Sequence, residues 1–129
     1  NQTHGVHAVT LEQDSNRDAD AAITCEPGKV AVVMTADCLP ILVCNRAGSE
    51  VAAIHAGWRG LQAGVIEATI AALHSPAEQL LAWIGPGISQ PSFEVGAFQN
   101  SGNSSKLRTL IVWPDFVIHT RSSRNFLVG

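Results

Sequence analysis

The sequence predicts an α+β fold built from packed layers, with several strands and one clear helix. Short apolar runs bounded by turn residues recur through the first two thirds of the chain, which is typical of strands. In contrast, residues 60–74 repeat their apolar side chains every three or four positions, the spacing of an amphipathic helix. No internal repeat is visible. This mixture favours an α+β architecture over a doubly wound parallel sheet.

The composition indicates one compact domain that binds neither nucleic acid nor membrane. Of the 129 residues, 46% are hydrophobic and 15% are charged, which provides the apolar surface that a core requires. The net charge of -3 gives no basic field for DNA or RNA. No apolar run approaches the roughly 20 residues of a membrane span. A small neutral or anionic substrate fits this charge if a local positive group receives it.

The cysteines favour a reducing compartment. Cys25, Cys38 and Cys44 cannot all pair with one another, and none stands in a CxxC arrangement. We therefore expect free thiols and a cytoplasmic protein. The chain opens on Asn1 rather than Met, so the lack of a signal-peptide pattern has little weight.

The strands are predicted in two groups. Residues 6–11, 19–25 and 30–34 are expected to form a meander, with the turn Glu26-Pro27-Gly28 between the second and third runs. Residues 39–44 and 50–55 follow, and the tight turn between them predicts an antiparallel pair.

The helix predicted over residues 60–74 ends at Ser75-Pro76. Its apolar face consists of Leu61, Val65, Thr69, Ala72 and Leu73. Residues 80–84 are expected to form a short buried strand that ends in Gly85-Pro86-Gly87. Further on, 101–105 is predicted to be a polar loop, and the apolar runs 110–113 and 116–118 receive no assignment.

The residues best suited to chemistry stand at the ends of predicted elements. His4 precedes the first strand, Cys38 precedes the run 39–44, and His55 ends the run 50–55. One thiolate and two neutral imidazoles suit zinc, and three protein ligands leave a fourth position open for water or substrate. These ligands lack the local spacing of a zinc finger, so a buried structural role for each of them stays open.

The loop after His55 is a candidate anion site. A strand, then Gly57 and Gly60 around Arg59, then a helix N-terminus would present backbone N–H groups and a guanidinium to an anion. The alternative is that both glycines only permit a tight turn and that Arg59 is solvated.

Three carboxylates have undecided roles. Asp20 and Asp37 either orient a ligand histidine from behind or cap a turn. Glu94 is either a polar group of the pocket or an exposed surface residue.

Five motifs together resemble the YfiH-type family, also called the laccase-domain or multicopper polyphenol oxidase family. Their order and spacing agree with that family over residues 1–96. The motifs are Gln2-Thr3-His4-Gly5, Ala19-Asp20-Ala21, Thr35-Ala36-Asp37-Cys38-Leu39-Pro40, His55-Ala56-Gly57-Trp58-Arg59-Gly60 and Gly85-Pro86.

The resemblance implies a four-layer α/β/β/α sandwich with a zinc site on His4, Cys38 and His55. It also implies phosphorolysis of adenosine, inosine, guanosine and methylthioadenosine, with adenosine deamination as a companion activity. Cys38 and Arg59 would then be the catalytic residues, and Gly57, Arg59 and Gly60 would bind phosphate. The anion site inferred from the residues suits a phosphate cosubstrate.

The match departs from the family at both ends. Residues 1–129 are expected to form a single YfiH-like domain that is incomplete at either end, with 1–96 as its metal-site core and 97–129 poorly assignable. The family's arginine-rich C-terminal motif has only His119, Arg121 and Arg124 as counterparts here.

Three other functions compete with the phosphorylase. A copper-dependent, laccase-like polyphenol oxidase is the first alternative, with Met34 as a conceivable axial ligand. However, this chain has five histidines and no His-x-His pair. A metal-free hydrolase would use Cys38 as nucleophile and His55 or His4 as base. A binding-only role is the non-enzymatic alternative. The preferred nucleoside and the oligomeric state do not follow from the sequence.

Overall fold

The computed structural model describes residues 1–89 and 92–93. The chain divides after Gly87, and every element described here lies in the unit Asn1–Gly87. The predictions for Glu94, for 97–129 and for the runs within that segment fall outside the described residues. The strands are β1 (Ala8–Thr10), β2 (Ala21–Thr24), β3 (Leu39–Asn45), β4 (Val51–Ala56) and β5 (Leu80–Ile84). The α-helices are α1 (Trp58–Ala63) and α2 (Val65–Ala72), and a 3-10 turn spans Ala77–Gln79.

The five strands form one mixed sheet in the order β1-β2-β4-β3-β5. β3 and β4 are antiparallel neighbours, with Leu39 opposite Ala56 and Cys44 opposite Val51. The antiparallel pair predicted for these two runs is therefore confirmed. β5 adds to the other edge of β3, also antiparallel.

The predicted meander is wrong. β1 pairs with β2 in parallel, Ala8 opposite Ala21, and the other edge of β2 is taken by β4 rather than by the run 30–34. A turn follows β1, in which Gln13 and Asp14 donate backbone hydrogen bonds to the Thr10 carbonyl, and the chain then returns to the starting end of β1, where Asp20 and Ala21 donate to the His7 carbonyl. Parallel pairing requires such a return connection, whereas a meander requires only a turn.

Residues 30–34 form no strand, contrary to expectation. Both edges of β2 are occupied, so this segment has no sheet partner. Its alternate side chains Val30, Val32 and Met34 are exposed. The Gln2 side-chain amide takes the place of a neighbouring strand: its Nε2 donates to the Met34 carbonyl at 2.6 Å, and its Oε1 accepts from the Met34 N–H at 2.7 Å.

The single predicted helix is two helices, broken at Gly64. Gly64 adopts φ 100°, a left-handed conformation that favours glycine, and its N–H bonds to the carbonyls of Gly60 and Leu61. This is a common end of a helix, and α2 begins at the next residue. The predicted apolar face is retained in part: Val65 and Thr69 of α2 are fully buried and Leu73, the C-cap, is nearly so, whereas Leu61 is half-buried and Ala72 is exposed.

The helices cover one face of the sheet at β1, β2 and β4, with α2 packed against all three strands. Ile23 and Ile54 are fully buried in this core. Leu42 of β3 and Leu81 and Trp83 of β5 are exposed, as is Ala82 between the last two. The strand predicted over 80–84 is thus confirmed, but the prediction that it is buried is wrong. Among the described residues, no helix is long and apolar enough to cross a membrane.

Candidate metal centre

His4, Cys38 and His55 meet at one end of the sheet. Cys38 directly precedes β3 and His55 is the second-to-last residue of β4, and the antiparallel register brings these positions together. His4 joins them from the segment before β1. The three ligand atoms lie within 4.8 Å of one another, and Cys38 Sγ is 4.0 Å from His4 Nε2. The two imidazoles meet edge to face, with ring centroids 4.7 Å apart.

The carboxylate of Asp20 hydrogen-bonds both histidines, the ring of His55 and the backbone of His4. Asp20 lies immediately before β2 and is completely buried. Its Oδ1 accepts hydrogen bonds from His55 Nδ1 at 2.8 Å and from the His4 N–H at 2.9 Å. Its Oδ2 accepts from the Gly5 N–H at 2.8 Å, the Thr3 N–H at 3.2 Å and the Thr3 hydroxyl at 2.8 Å. One carboxylate therefore fixes the loop that carries His4 and the ring of His55.

The hydrogen bonds keep Asp20 charged. Burial by itself would raise the pKa of this carboxyl, but the donors of His55, Gly5, Thr3 and His4 outweigh burial and hold its pKa at about 2. A carboxylate bonded to Nδ1 leaves the Nε2 lone pair of His55 available. This arrangement orients metal-bound histidines in many proteins.

The backbone of His4 is strained. Its φ of 59° places it in the left-handed region, which costs a non-glycine residue about 1–2 kcal/mol. The hydrogen bonds that Asp20 accepts from the N–H groups of Thr3, His4 and Gly5 offset this cost. The strain is therefore located at the residue whose side chain completes the cluster.

Gly57 leaves room for the three side chains to meet. A Cβ at this position would lie 2.9 Å from His4 Cδ2, 3.1 Å from Cys38 Sγ and 3.6 Å from His55 Cε1. Gly60 has a similar role one turn later, because its Cβ would lie 2.9 Å from the Gly5 carbonyl oxygen. Both glycines thus allow the start of α1 to approach the His4 loop closely.

The donor set fits a zinc-class ion. Ligand bonds of 2.0–2.3 Å in a tetrahedron separate the donor atoms by roughly 3.3–3.8 Å. The measured separation of 4.0 Å between Cys38 Sγ and His4 Nε2 needs only a small closure. Burial, together with Asp37 and Asp20, raises the pKa of the Cys38 thiol. A bound cation is the group that would favour its thiolate.

Of the other predicted site residues, Arg59 and Asp37 are exposed and Asp20 is buried. Arg59 is exposed, and its Cζ lies 4.9 Å from the centroid of the Trp58 ring. The anion role of Arg59 stays a prediction. Asp37 is exposed and acts on Cys38 through its charge. Asp20 takes the orienting role that the sequence left undecided.

Sequence reasoning missed the partners of Asp20 and the tight packing at Gly57. One signal was available: Asp20 stands between Ala19 and Ala21 in an apolar run, where a charge needs several donors. A second group of possible metal ligands, Cys25, Glu50 and His74, was also missed.

The fold and this centre define a class of protein. The family described as multi-copper polyphenol oxidoreductase laccase matches residues 1–108, and the chain belongs to this family. The family resemblance noted in the sequence is therefore confirmed.

Similar proteins with known names support this family membership. The chain is 55% identical over 98 residues to the purine nucleoside phosphorylase YfiH of Shigella flexneri, covering 74% of this chain and 40% of that protein. It is 55% identical over 97 residues, with the same coverage, to the protein of that name from Escherichia coli K12. The crystal structure of protein NMB0706 from Neisseria meningitidis matches with a TM-score of 0.65 and 49% identity, over 74% of this chain and 40% of that one. The chain thus spans about 40% of the length of the curated relatives it matches.

Proposed function

We propose that this chain carries the metal-binding part of a zinc-dependent purine nucleoside phosphorylase. The observation that carries the proposal is the convergence of His4, Cys38 and His55, with Asp20 bonded behind His55. Three protein ligands with an open fourth position are typical of catalytic rather than structural zinc. The names of the relatives supply the reaction class.

The roles of the residues follow from their chemistry. Zinc held by His4, Cys38 and His55 would supply Lewis-acid stabilisation of developing negative charge. Asp20 keeps His55 in the tautomer that presents Nε2, and Gly57 keeps the pocket side of the cluster free of a side chain. Arg59 would hold the phosphate cosubstrate together with the backbone of Gly57 and Gly60. Cys38 and Arg59 are thus the proposed catalytic pair, one at the metal and one at the phosphate.

The proposed substrates are adenosine, inosine, guanosine and methylthioadenosine, each with inorganic phosphate, and adenosine deamination is the proposed side activity. Orienting phosphate and nucleoside together supplies much of the rate, because two freely diffusing reactants become one bound pair. The proposed location is the cytoplasm, which rests on the free thiols alone.

The deciding experiment supplies inosine and phosphate to the metal-loaded protein without oxygen. We expect hypoxanthine and ribose 1-phosphate in equal amounts, and no product when phosphate is omitted. Cys38→Ala should lose metal and activity together, whereas Cys44→Ala is the matched control and should retain both. Full metal occupancy in Cys38→Ala would remove Cys38 from the ligand set.

The phosphate site has its own test. Arg59→Ala should raise the phosphate concentration for half-maximal rate by about tenfold or more, because a charge-assisted hydrogen bond is worth about 1.5–3 kcal/mol. Zinc content should not change. Arg46→Ala, an exposed arginine at the turn after β3, is the control. An unchanged phosphate dependence in Arg59→Ala would assign Arg59 to the solvated surface.

The second candidate is a copper-dependent polyphenol oxidase, which the description of the matching family favours. The same three donors accept copper as well as zinc. Activity that requires oxygen, copper and a phenol, with no phosphorolysis of inosine, would establish this alternative. The metal-free hydrolase is less favoured, because the raised pKa of Cys38 leaves a poor nucleophile in the absence of a cation.

We also propose that the sheet belongs to a four-layer α/β/β/α sandwich. Helices cover one of its faces, while Leu42, Leu81 and Trp83 are exposed at 46%, 46% and 56%. Side chains of this size on neighbouring strands are typical of a face that packs against a second sheet.

A further inference from the structure

A second group of metal-ligating side chains lies at the other end of the sheet from His4, Cys38 and His55. Cys25 directly follows β2, and Glu50 directly precedes β4. These strands are antiparallel with Thr24 opposite Val51, so Cys25 and Glu50 meet. His74 arrives from the end of α2. The ligand atoms of the three residues lie within 4.8 Å of one another.

Glu50 is the centre of this group. Its side chain is 3% exposed, and its Oε1 accepts hydrogen bonds from His74 Nδ1 at 3.0 Å and from the His74 N–H at 2.8 Å. Oε2 accepts from the Ser75 N–H at 3.0 Å, and Cys25 Sγ lies 3.8 Å from Oε1. Burial would raise the pKa of Glu50, but the donors of His74 and Ser75 outweigh it and hold the pKa at about 2. A charged oxygen therefore faces the thiol and the imidazole.

The surrounding backbone is fixed in place by Asn45. Its Oδ1 accepts from the N–H groups of Ser49 at 2.9 Å and Glu50 at 3.3 Å. Its Nδ2 donates to the hydroxyls of Ser49 and Ser75, each at 2.9 Å. The turn before β4 and the segment after α2 are thus held together without any ion. A metal would meet ligands that are already close to their bound positions.

The local charge favours a cation. Cys25 is exposed, but partial desolvation raises the pKa of its thiol, and the nearby carboxylates of Glu50 and Glu12 raise it further. Lys29, the ammonium group of this region, pairs with Glu26 at 2.8 Å and with Glu12 at 3.9 Å. Lys29 forms no ion pair with Glu50. The negative charge of Glu50 is therefore not neutralised by this lysine, and its Oε1 lies next to Cys25 and His74.

We propose that Cys25, Glu50 and His74 bind a second divalent ion of the zinc class. The separation of 3.8 Å between Cys25 Sγ and Glu50 Oε1 matches the roughly 3.3–3.8 Å between donors around tetrahedral zinc. The His74 ring needs to move outward from its 3.0 Å contact, and its side chain is 71% exposed and free to do so. The ion would fasten the ends of β2 and α2 to the start of β4. It would keep one position for water.

Cobalt is a probe that separates the two centres. Metal-stripped full-length chain is titrated with Co²⁺, and the near-ultraviolet thiolate-to-cobalt charge-transfer band is recorded. Cys38→Ser removes the thiolate of the first centre, so a band that remains comes from another cysteine. We expect the band to persist in Cys38→Ser and to disappear in Cys38→Ser with Cys25→Ser. Cys38→Ser with Cys44→Ser is the matched control and should keep it.

Two further measurements complete the test. His74→Ala in the Cys38→Ser protein should weaken cobalt binding by at least about tenfold, since even an outer-shell partner of a ligand contributes 10- to 100-fold. Zinc added afterwards should abolish the band by displacing cobalt. Absence of a band in Cys38→Ser, or a band that survives Cys25→Ser in the Cys38→Ser protein, would overturn the proposal. Neither outcome depends on whether the protein is a phosphorylase.

Discussion

The two ends of the sheet each contain a buried carboxylate, and the two carboxylates are used differently. Asp20 and Glu50 both have a pKa of about 2, both accept a hydrogen bond from a histidine Nδ1, and both accept backbone N–H groups. Both oxygens of Asp20 are directed at the His4 loop and at the rear of His55, so this residue orients ligands. Glu50 faces a thiol and an imidazole, so it is itself placed as a ligand. The groups that each carboxylate meets besides its histidine thus distinguish the two roles: a hydroxyl and the N–H groups of the His4 loop for Asp20, a thiol for Glu50.

The largest expected effect is on folding stability at the Asp20 end. Asp20→Asn should lower the free energy of unfolding by about 3–5 kcal/mol, because it removes a buried carboxylate that accepts several hydrogen bonds and turns an NH₂ toward existing donors. Glu50→Gln should cost less, about 1–3 kcal/mol, since the Glu50 carboxylate serves three near donors where Asp20 serves five. Urea unfolding of the metal-stripped proteins measures both. Equal losses would contradict the difference in roles.

Substitutions at two glycines are expected to affect different properties, zinc binding for Gly57 and folding stability for Gly48. Gly57 has an ordinary backbone conformation, so Gly57→Ala should mainly push His4 and Cys38 apart and weaken zinc binding at the first centre by about tenfold or more. Gly48, near Glu50, has φ 70° and open space around it. Gly48→Ala should cost about 1–2 kcal/mol of stability and leave zinc affinity at the first centre unchanged. Chelator competition measures the zinc affinity of both variants, and urea unfolding measures their stability. A normal zinc affinity in Gly57→Ala would contradict the prediction.

The smallest effect is expected at His74. In metal-stripped protein, His74→Ala should change the free energy of unfolding by less than about 1 kcal/mol, because ion pairs with an exposed partner contribute little. The backbone N–H groups of His74 and Ser75 continue to bond Glu50 in this variant. Thermal unfolding without metal measures the change. A loss as large as that of Glu50→Gln would mean that the imidazole, not the backbone, holds Glu50 in place.

The sequence predicted the local parts of the fold better than the strand pairing. The β3–β4 pair and the Val65–Thr69 face were predicted correctly because a tight turn and a helical period are properties of neighbouring residues. The parallel pairing of β1 with β2 was missed, since it depends on the path of the connection between them, which no local pattern determines. The run 30–34 alternates like a strand yet has no free edge to join. The break at Gly64 was missed because one glycine within a helical period is often tolerated.

The candidate site was predicted in the same uneven way. His4, Cys38 and His55 were identified because their residue types suit a metal and they stand at element ends. The role of Asp20 stayed open, because it depends on hydrogen bonds from the N–H groups of the His4 loop. The conformation of that loop cannot be predicted from a sequence pattern. Cys25, Glu50 and His74 were overlooked, since each one alone resembles an ordinary residue at the end of an element.

The five donors around Asp20 have a consequence for how substitutions combine. Residues that share a partner are energetically coupled, so changes at Thr3, His4 and His55 will not add. Once Asp20 is gone, a further change at Thr3 has little left to remove, whereas in its presence the same change is felt at both histidines. The order in which substitutions accumulate therefore matters. A change at Thr3 costs most while the carboxylate of Asp20 is present, which makes Asp20 the position that constrains the evolution of its neighbours.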